Sequence, residues 1–103
     1  MALASRLLTV TQGNLNNKHM YLTEAWDLFP VDVFGGRNKS QAAPRTVCIQ
    51  FGDKTVATDI DRIKKVFRRR DWVGRFYDSN RVQAGDRVLL EQVDLYRYRV
   101  SKA

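Results

Sequence analysis

The strongest indication of the fold is the segment RVLLEQVDLYRYRVSK, residues 87–102. In YRYRV, two tyrosines and a valine alternate with two arginines, the two-residue period of a strand that buries one face. The preceding RVLLEQV predicts a partner strand, so the segment predicts a terminal β-hairpin. A chain that ends in such a hairpin needs further strands to cover its apolar face.

Those further strands are predicted upstream. RTVCIQF and TVATDI flank the tight turn GDK and form a second hairpin, and residues 5–10 and HMYL are also predicted as strands. About seven short strands at this spacing indicate a barrel or a sandwich. TQGNLNNK, between the first two strands, is predicted as an Asn/Gly turn, and VFGGRNKSQAAP is predicted as a loop.

Two short helices complete the expected elements. TEAWDLFP has Thr23 as its expected N-cap and ends at Pro30. DWVGRFYDSN has Asp71 as its expected cap, and Trp72, Phe76 and Tyr77 share the predicted buried face. We therefore expect a mainly β protein with two short helices.

Composition limits the size and the compartment. The 103 residues, of which 44% are hydrophobic, suit one folded domain over residues 1–103. The single Cys48 excludes an internal disulfide and favours a reducing cytosol. No apolar run is long enough to span a bilayer, so we expect no membrane association.

The charge points to a polyanionic partner. The net charge of +7 attracts nucleic acid first of all, although a basic surface that only keeps the protein soluble is the simpler alternative. Seven of the 18 Lys and Arg residues fall in IDRIKKVFRRRDWVGRF, residues 60–76. The stretch divides into a charged connection, IDRIKK, a strand, VFRRR, and the capped helix.

Catalysis finds little support in the sequence. His19 has no second His or Cys at ligand spacing, so no metal or cofactor is expected. Asp59 and Asp61 could share one strand face with a Mg²⁺ ion, but basic residues follow them and no Glu-x-Lys completes a nuclease site. Ion pairs at a basic surface are the preferred interpretation, and the domain is predicted not to be an enzyme.

The order of the motifs resembles the B3 DNA-binding domain, which occurs in plant transcription factors and in the recognition (effector) domains of bacterial restriction endonucleases of the EcoRII kind. The similarity covers nearly the whole chain. It rests on an Asn/Gly arm before HMYL, on Phe29-Pro30, on Trp72 followed by Phe76-Tyr77, and on Val82-x-x-Gly85-Asp86. The segment from Trp72 to Gly85 is one residue longer than the plant form, and no Trp lies near Val56. The wording FRRRDWVGRF favours the bacterial group.

The resemblance implies a seven-stranded open pseudobarrel (B3-like) with two short helices at the barrel ends. It also implies sequence-specific binding of double-stranded DNA by two arms in the major groove. We name residues 11–18 the N-arm and residues 58–68 the C-arm. The expected N-arm contacts are Gln12, Asn14, Asn16, Asn17 and Lys18, and the expected C-arm contacts are Asp59, Asp61, Arg62, Lys64 and Lys65. The expected phosphate contacts are Arg37, Arg68, Arg69 and Arg70.

Amide side chains suit adenine edges, carboxylates accept from cytosine N4, and Lys and Arg suit guanine or phosphate. An ordinary Asn/Gly loop is an equally good interpretation of the N-arm residues by themselves. The resemblance further implies a bacterial cytoplasmic restriction endonuclease as the parent protein, with a nuclease domain C-terminal to this one. Two alternatives stay open: an RNA-binding small β-barrel that stacks bases on exposed aromatics, and a compact metal-dependent nuclease using Asp59, Asp61 and Glu91.

Overall fold

A computed structural model describes residues 3–103. Residues 3–103 contain two α-helices, α1 (Gln12–Asn17) and α2 (Asp71–Ser79), and three short 3₁₀ helices, Thr23–Leu28, Val31–Val33 and Lys39–Gln41. The strands are β1 (Ala4–Thr9), β2 (Phe34–Gly35), β3 (Val47–Phe51), β4 (Lys54–Thr58), β5 (Ile60–Asp61), β6 (Val66–Phe67), β7 (Arg87–Asp94) and β8 (Arg97–Lys102).

The strands form two sheets. The larger has the order β1-β7-β8-β3-β4, in which only the β8–β3 pair is parallel. The smaller has the order β2-β5-β6, with β2 and β5 parallel and β5 and β6 antiparallel. The terminal hairpin supplies two of the three inner strands of the large sheet, so the mainly β class predicted from it is confirmed.

The strand count differs from the prediction. Residues 3–103 form eight strands rather than seven, three of them only two residues long, and the two sheets do not close into a barrel. The predicted strand HMYL is reduced to one bridge between Tyr21 and Val66. Of the predicted strand VFRRR, residues 66–70, only Val66 and Phe67 form a strand, β6. The small sheet that β6 forms with β2 and β5 was not predicted, because two-residue strands are too short to show a period in the sequence.

The N-arm is a helix, not the turn that its Asn/Gly composition predicts. Thr11 and Asn14 cap it reciprocally: Asn14 N donates to Thr11 Oγ1 (3.1 Å) and Thr11 N donates to Asn14 Oδ1 (2.9 Å). Lys18 ends the helix in the left-handed region (φ 53°). The same polar side chains that favour turns also satisfy the free N–H groups of a helix start, and here the second use prevails.

The other helix predictions are partly correct. Trp72, Phe76 and Tyr77 are buried on α2 as expected, but Asp71 is its first residue and its cap is Arg70, which makes no side-chain capping bond. The segment that begins at Thr23 is a 3₁₀ turn, because its carbonyls bond three residues ahead.

The large sheet, the small sheet and α2 together enclose the core. Phe29 stacks on Tyr98 with ring centroids 4.6 Å apart, and Trp72 lies between Phe51 and Phe67. The hydroxyl of Tyr98 donates to the carbonyl of Leu28 at 2.7 Å, so the one polar atom of this ring is satisfied inside the protein.

Tyr98 makes folding sensitive to alkaline pH. Burial raises the pKa of Tyr98 from its ordinary value of 10 to about 12. Between these values the unfolded chain releases a proton that the folded chain retains, so stability is intact below pH 10 and falls as pH rises towards 12. We expect Tyr98→Phe to lose about 1 kcal/mol at pH 8 through its missing hydrogen bond, yet to show a shallower fall above pH 10. Urea denaturation at pH 8, 10 and 11 measures both effects, and equal slopes for variant and wild type would contradict the assignment.

Candidate nucleic-acid interface

The C-arm contains a tight hairpin whose loop, residues 62–65, connects β5 to β6. The Oδ1 atom of Asp61 accepts hydrogen bonds from Ile63 N (2.9 Å) and Lys64 N (3.1 Å). Lys65 N donates to Asp61 O at 2.7 Å, and Lys65 adopts the left-handed conformation (φ 61°). Asp61 therefore holds the loop shape, and its carboxylate is buried.

A buried ion pair lies beneath this hairpin. Arg68 Nε donates to Asp59 Oδ1 at 2.7 Å, and the side chains are 15% and 7% exposed. The second carboxylate oxygen of Asp59 accepts from Ala43 N at 2.8 Å. The two guanidinium Nη atoms of Arg68 donate to the carbonyls of Gly36, Arg37 and Asn38. The pair thus joins β6 to residues 36–43.

Gly35 permits this close approach. A Cβ atom at Gly35 would lie 2.6 Å from both Arg68 Nη2 and Asp59 Oδ2, and 2.7 Å from Ala43 N. Its carbonyl accepts from Arg62 N at 3.1 Å, so the same residue contacts the start of the hairpin loop. This requirement could not be predicted, because Gly35 stands in a stretch whose composition is typical of a loop.

The result is a groove with five cationic side chains around it. It has a volume of about 180 Å³ and we call it the basic groove. Its lining residues are Arg37, Lys39, Asp61, Lys64, Val66, Phe67, Arg68 and Arg70. Asp61 is the only acid among them, and the exposed cations outnumber it four to one, so the field at the mouth of the groove favours an anion.

The basic groove unites residues that the sequence separated into two roles. Lys64 of the C-arm and the predicted phosphate contacts Arg37 and Arg70 are exposed and lie together. Lys39 belongs with them and was missed, since nothing in a polar loop distinguishes one lysine from another. Arg69 lies outside the lining and pairs with Asp71 at 3.5 Å.

Three predicted contact residues have structural roles in this conformation. Asp59 and Asp61 are each 5% exposed, and their carboxylates are committed to Arg68 and to backbone N–H groups. Arg68 likewise serves the ion pair and the loop carbonyls. In the sequence, an aspartate within a basic run resembles a contact residue. Only its burial in the folded protein shows that its role is structural.

The N-arm presents some of its amides and buries another. Asn14 is 3% exposed: its Oδ1 caps α1 and its Nδ2 lies 3.2 Å from His19 Nδ1. Asn16 and Asn17 are exposed on α1; Asn16 accepts from Gln12 and Asn17 donates to the carbonyl of Gly13. The exposed residues of the predicted set are Gln12, Asn16, Asn17 and Lys18.

The chain that follows α1 is attached to the C-arm hairpin. Leu22 N donates to Lys65 O at 2.9 Å, beside the bridge between Tyr21 and Val66. On the other side, Tyr77 of α2 donates its hydroxyl to His19 O at 2.9 Å. Burial raises the pKa of Tyr77 well above its ordinary value, so this donor keeps its proton to a higher pH than an exposed tyrosine does. The two arms are therefore fixed to one framework.

A larger cavity of about 420 Å³ lies beside the N-arm, between β1, α1 and the first 3₁₀ turn. Leu8 and Tyr21 supply its apolar lining, and Glu24 is its charged residue. Size alone would favour it as the binding site, but we prefer the basic groove because four exposed cations surround it in a protein with a net charge of +7.

The acids of the metal-dependent nuclease alternative are not assembled. Glu91 lies on β7 and accepts from Arg99 at 3.1 Å, whereas Asp59 and Asp61 belong to the small-sheet region. Within residues 3–103, no group of three or more His, Cys, Asp or Glu side chains has the arrangement to hold a metal ion. The RNA alternative needs Trp72, Tyr96 and Tyr98 on the surface. Trp72 and Tyr98 are 2% and 1% exposed, and Tyr96 is half-buried with the guanidinium of Arg45 over its ring at 3.8 Å.

No protein-family profile, curated protein or solved structure matches this chain. Among residues 3–103, none of the helices has the length and apolar character that crossing a membrane requires.

Because Gly35 lies against the Asp59–Arg68 ion pair, adding a single methyl group at Gly35 should lower the stability of the protein. Gly35→Ala should destabilise the protein by about 1–3 kcal/mol, because the added Cβ must displace an ion pair or a backbone amide. Gly13→Ala is the matched control: its Cβ would meet only Thr11 Oγ1 at 3.7 Å, and alanine on α1 should be neutral or stabilising by up to about 1 kcal/mol. Denaturant unfolding of both variants measures this, and equal stability of the two would contradict the role given to Gly35.

Proposed function

We propose that this domain binds double-stranded DNA in a sequence-specific way, as a B3-like open pseudobarrel whose N-arm and C-arm enter the major groove. The single observation that carries the proposal is the basic groove, where Arg37, Lys39, Lys64 and Arg70 converge around buried supports. Several cations grouped on one surface can neutralise neighbouring phosphates, which supplies the electrostatic part of duplex binding.

The exposed amides supply the second requirement, which is the recognition of bases. Gln12, Asn16 and Asn17 lie on α1, and an α-helix fits the major groove. Each amide offers a donor and an acceptor, the pair that adenine N6 and N7 requires. Asn14, Asp59 and Asp61 support this surface from inside, and Arg68 fixes Arg37 through the carbonyls of its loop.

Duplex DNA is preferred over single-stranded RNA because most of the large aromatic rings are buried or partly buried, and Tyr21 is the one that is exposed among the described residues. A single-strand binder stacks bases on exposed rings, whereas Trp72, Phe76 and Tyr98 are buried here. As further parts of the proposal, the domain recognises the target of a bacterial restriction endonuclease, acts in the cytoplasm, and leaves cleavage to a nuclease domain C-terminal to it.

Charge reversal tests the basic groove. Lys39→Glu and Lys64→Glu should each weaken binding to every duplex and make the salt dependence shallower by about one charge. Lys54→Glu is the matched control. Lys54 is the first residue of β4, and Asp59 follows the last residue of that strand, so the control charge and the ion pair lie at opposite ends of β4. Gel-shift titrations at several salt concentrations compare the three, and equal losses would mean that net charge rather than the basic groove binds DNA.

Alanine at Asn16 or Asn17 tests base recognition. Each change should relax the preference at particular base pairs, by about 1–3 kcal/mol where a bidentate contact is lost, and leave binding to unrelated duplexes unchanged. Selection from a random duplex pool, with and without cytosine methylation, identifies the preferred sequence for wild type and variants. Identical selected sequences for all three proteins would remove α1 from the recognition surface. Mg²⁺-dependent cleavage by the purified domain, abolished by Asp61→Ala, would instead support the nuclease alternative.

A further inference from the structure

An apolar side chain occupies the tip of the C-arm hairpin. Ile63 is 61% exposed in the loop of residues 62–65, and its three loop neighbours, Arg62, Lys64 and Lys65, are all basic and exposed. Turns of this kind usually contain Gly, Asn, Asp, Ser or Pro, whose backbone preferences suit them. Neither turn chemistry nor core packing therefore explains a β-branched apolar residue at this position.

The backbone under Ile63 is held firmly. Its own N–H donates to Asp61 Oδ1 at 2.9 Å, and Lys65 N closes the loop on Asp61 O. The far end of the loop is anchored by the bond from Leu22 N to Lys65 O. A side chain on such a support loses little backbone freedom when it makes a contact, which is what a specific contact requires.

We propose that Ile63 recognises the C5-methyl group of a pyrimidine in the major groove. The inference rests on the proposed function. The C5-methyl group of thymine is the apolar feature of the major-groove edge, and 5-methylcytosine carries the same group. Arg62, Lys64 and Lys65 bring the loop to the polyanion, and Ile63 then gains the burial of one methyl group against its own apolar surface.

The size of the effect follows from the burial of one methyl group. Removing that group from the DNA should weaken binding about fourfold, the affinity equivalent of one buried CH₂. The cations should contribute equally to methylated and unmethylated sites, so Ile63 alone should carry this discrimination.

The experiment uses the duplex that the random-pool selection yields. Each thymine is replaced in turn by deoxyuridine, which removes only the methyl group, and each cytosine by 5-methylcytosine. We expect one position at which wild type loses about fourfold on methyl removal, or gains about fourfold on methyl addition; the first result assigns thymine and the second 5-methylcytosine. Ile63→Ala should bind both forms of that duplex with equal affinity.

Two controls separate recognition from stability. Leu95→Ala removes another exposed apolar side chain, 52% exposed in the turn between β7 and β8, and should keep the wild-type discrimination. Asp61→Ala, which removes the acceptor for Ile63 N, should reduce the discrimination, while Asp61→Asn, whose amide oxygen can still accept, should retain more of it.

The outcomes are distinct. Duplex binding by wild type without any dependence on a methyl group overturns this inference and leaves the proposed function standing. Discrimination that persists in Ile63→Ala overturns it as well, by giving the contact to another residue. Failure of wild type to bind any duplex overturns the proposed function and the inference together.

Discussion

The ion pair between Asp59 and Arg68 is the interaction on which the basic surface depends. Its charges are largely removed from water, so each needs its partner and further hydrogen bonds to remain there. Asp59 obtains these from Ala43 N, and Arg68 from three consecutive carbonyls of residues 36–38. A loop with little regular structure of its own is thereby tied to β6, and Arg37 and Lys39 are held beside the C-arm hairpin.

On this side of the molecule the acidic residues have structural roles, and the cationic residues around the groove are exposed. Asp59 and Asp61 are buried and organise loops, whereas Arg37, Lys39, Lys64 and Arg70 are exposed around the basic groove. Asp59 pairs with Arg68, and Asp61 accepts from backbone N–H groups. Neither carboxylate is used to pair with the exposed cations, which can therefore attract an external anion. The amides of the N-arm also differ in burial and role: Asn14 is buried and caps α1, whereas Asn16 and Asn17 remain on the surface.

Much of the fold could be predicted because its large sheet has the two-residue period of strands that bury one face. The β7–β8 hairpin follows from the alternation of apolar residues, and the β3–β4 hairpin follows from the strand-forming residues on either side of the turn GDK. The buried face of α2 follows from the helical spacing of Trp72, Phe76 and Tyr77. The small sheet and the helical N-arm could not, since two-residue strands show no period and Thr11 and Asn14 suit a turn as well as a helix cap. Of the candidate site, the cations were predictable by type, but the grouping of Arg37 and Lys39 with Lys64 was not.

A small, strongly basic, mainly β domain could be inferred without coordinates, because composition and apolar period are properties of the chain alone. Which charged residues support the fold, and which remain available for binding, depends on tertiary contacts. Burial and hydrogen bonding between positions far apart in the chain, such as Arg68 with Gly36, carry no signature in local sequence. The same holds for Ile63, an apolar residue within a basic run. Its exposure at the tip of a well-supported loop, which makes it a candidate contact, is a property of the tertiary structure and not of the local sequence.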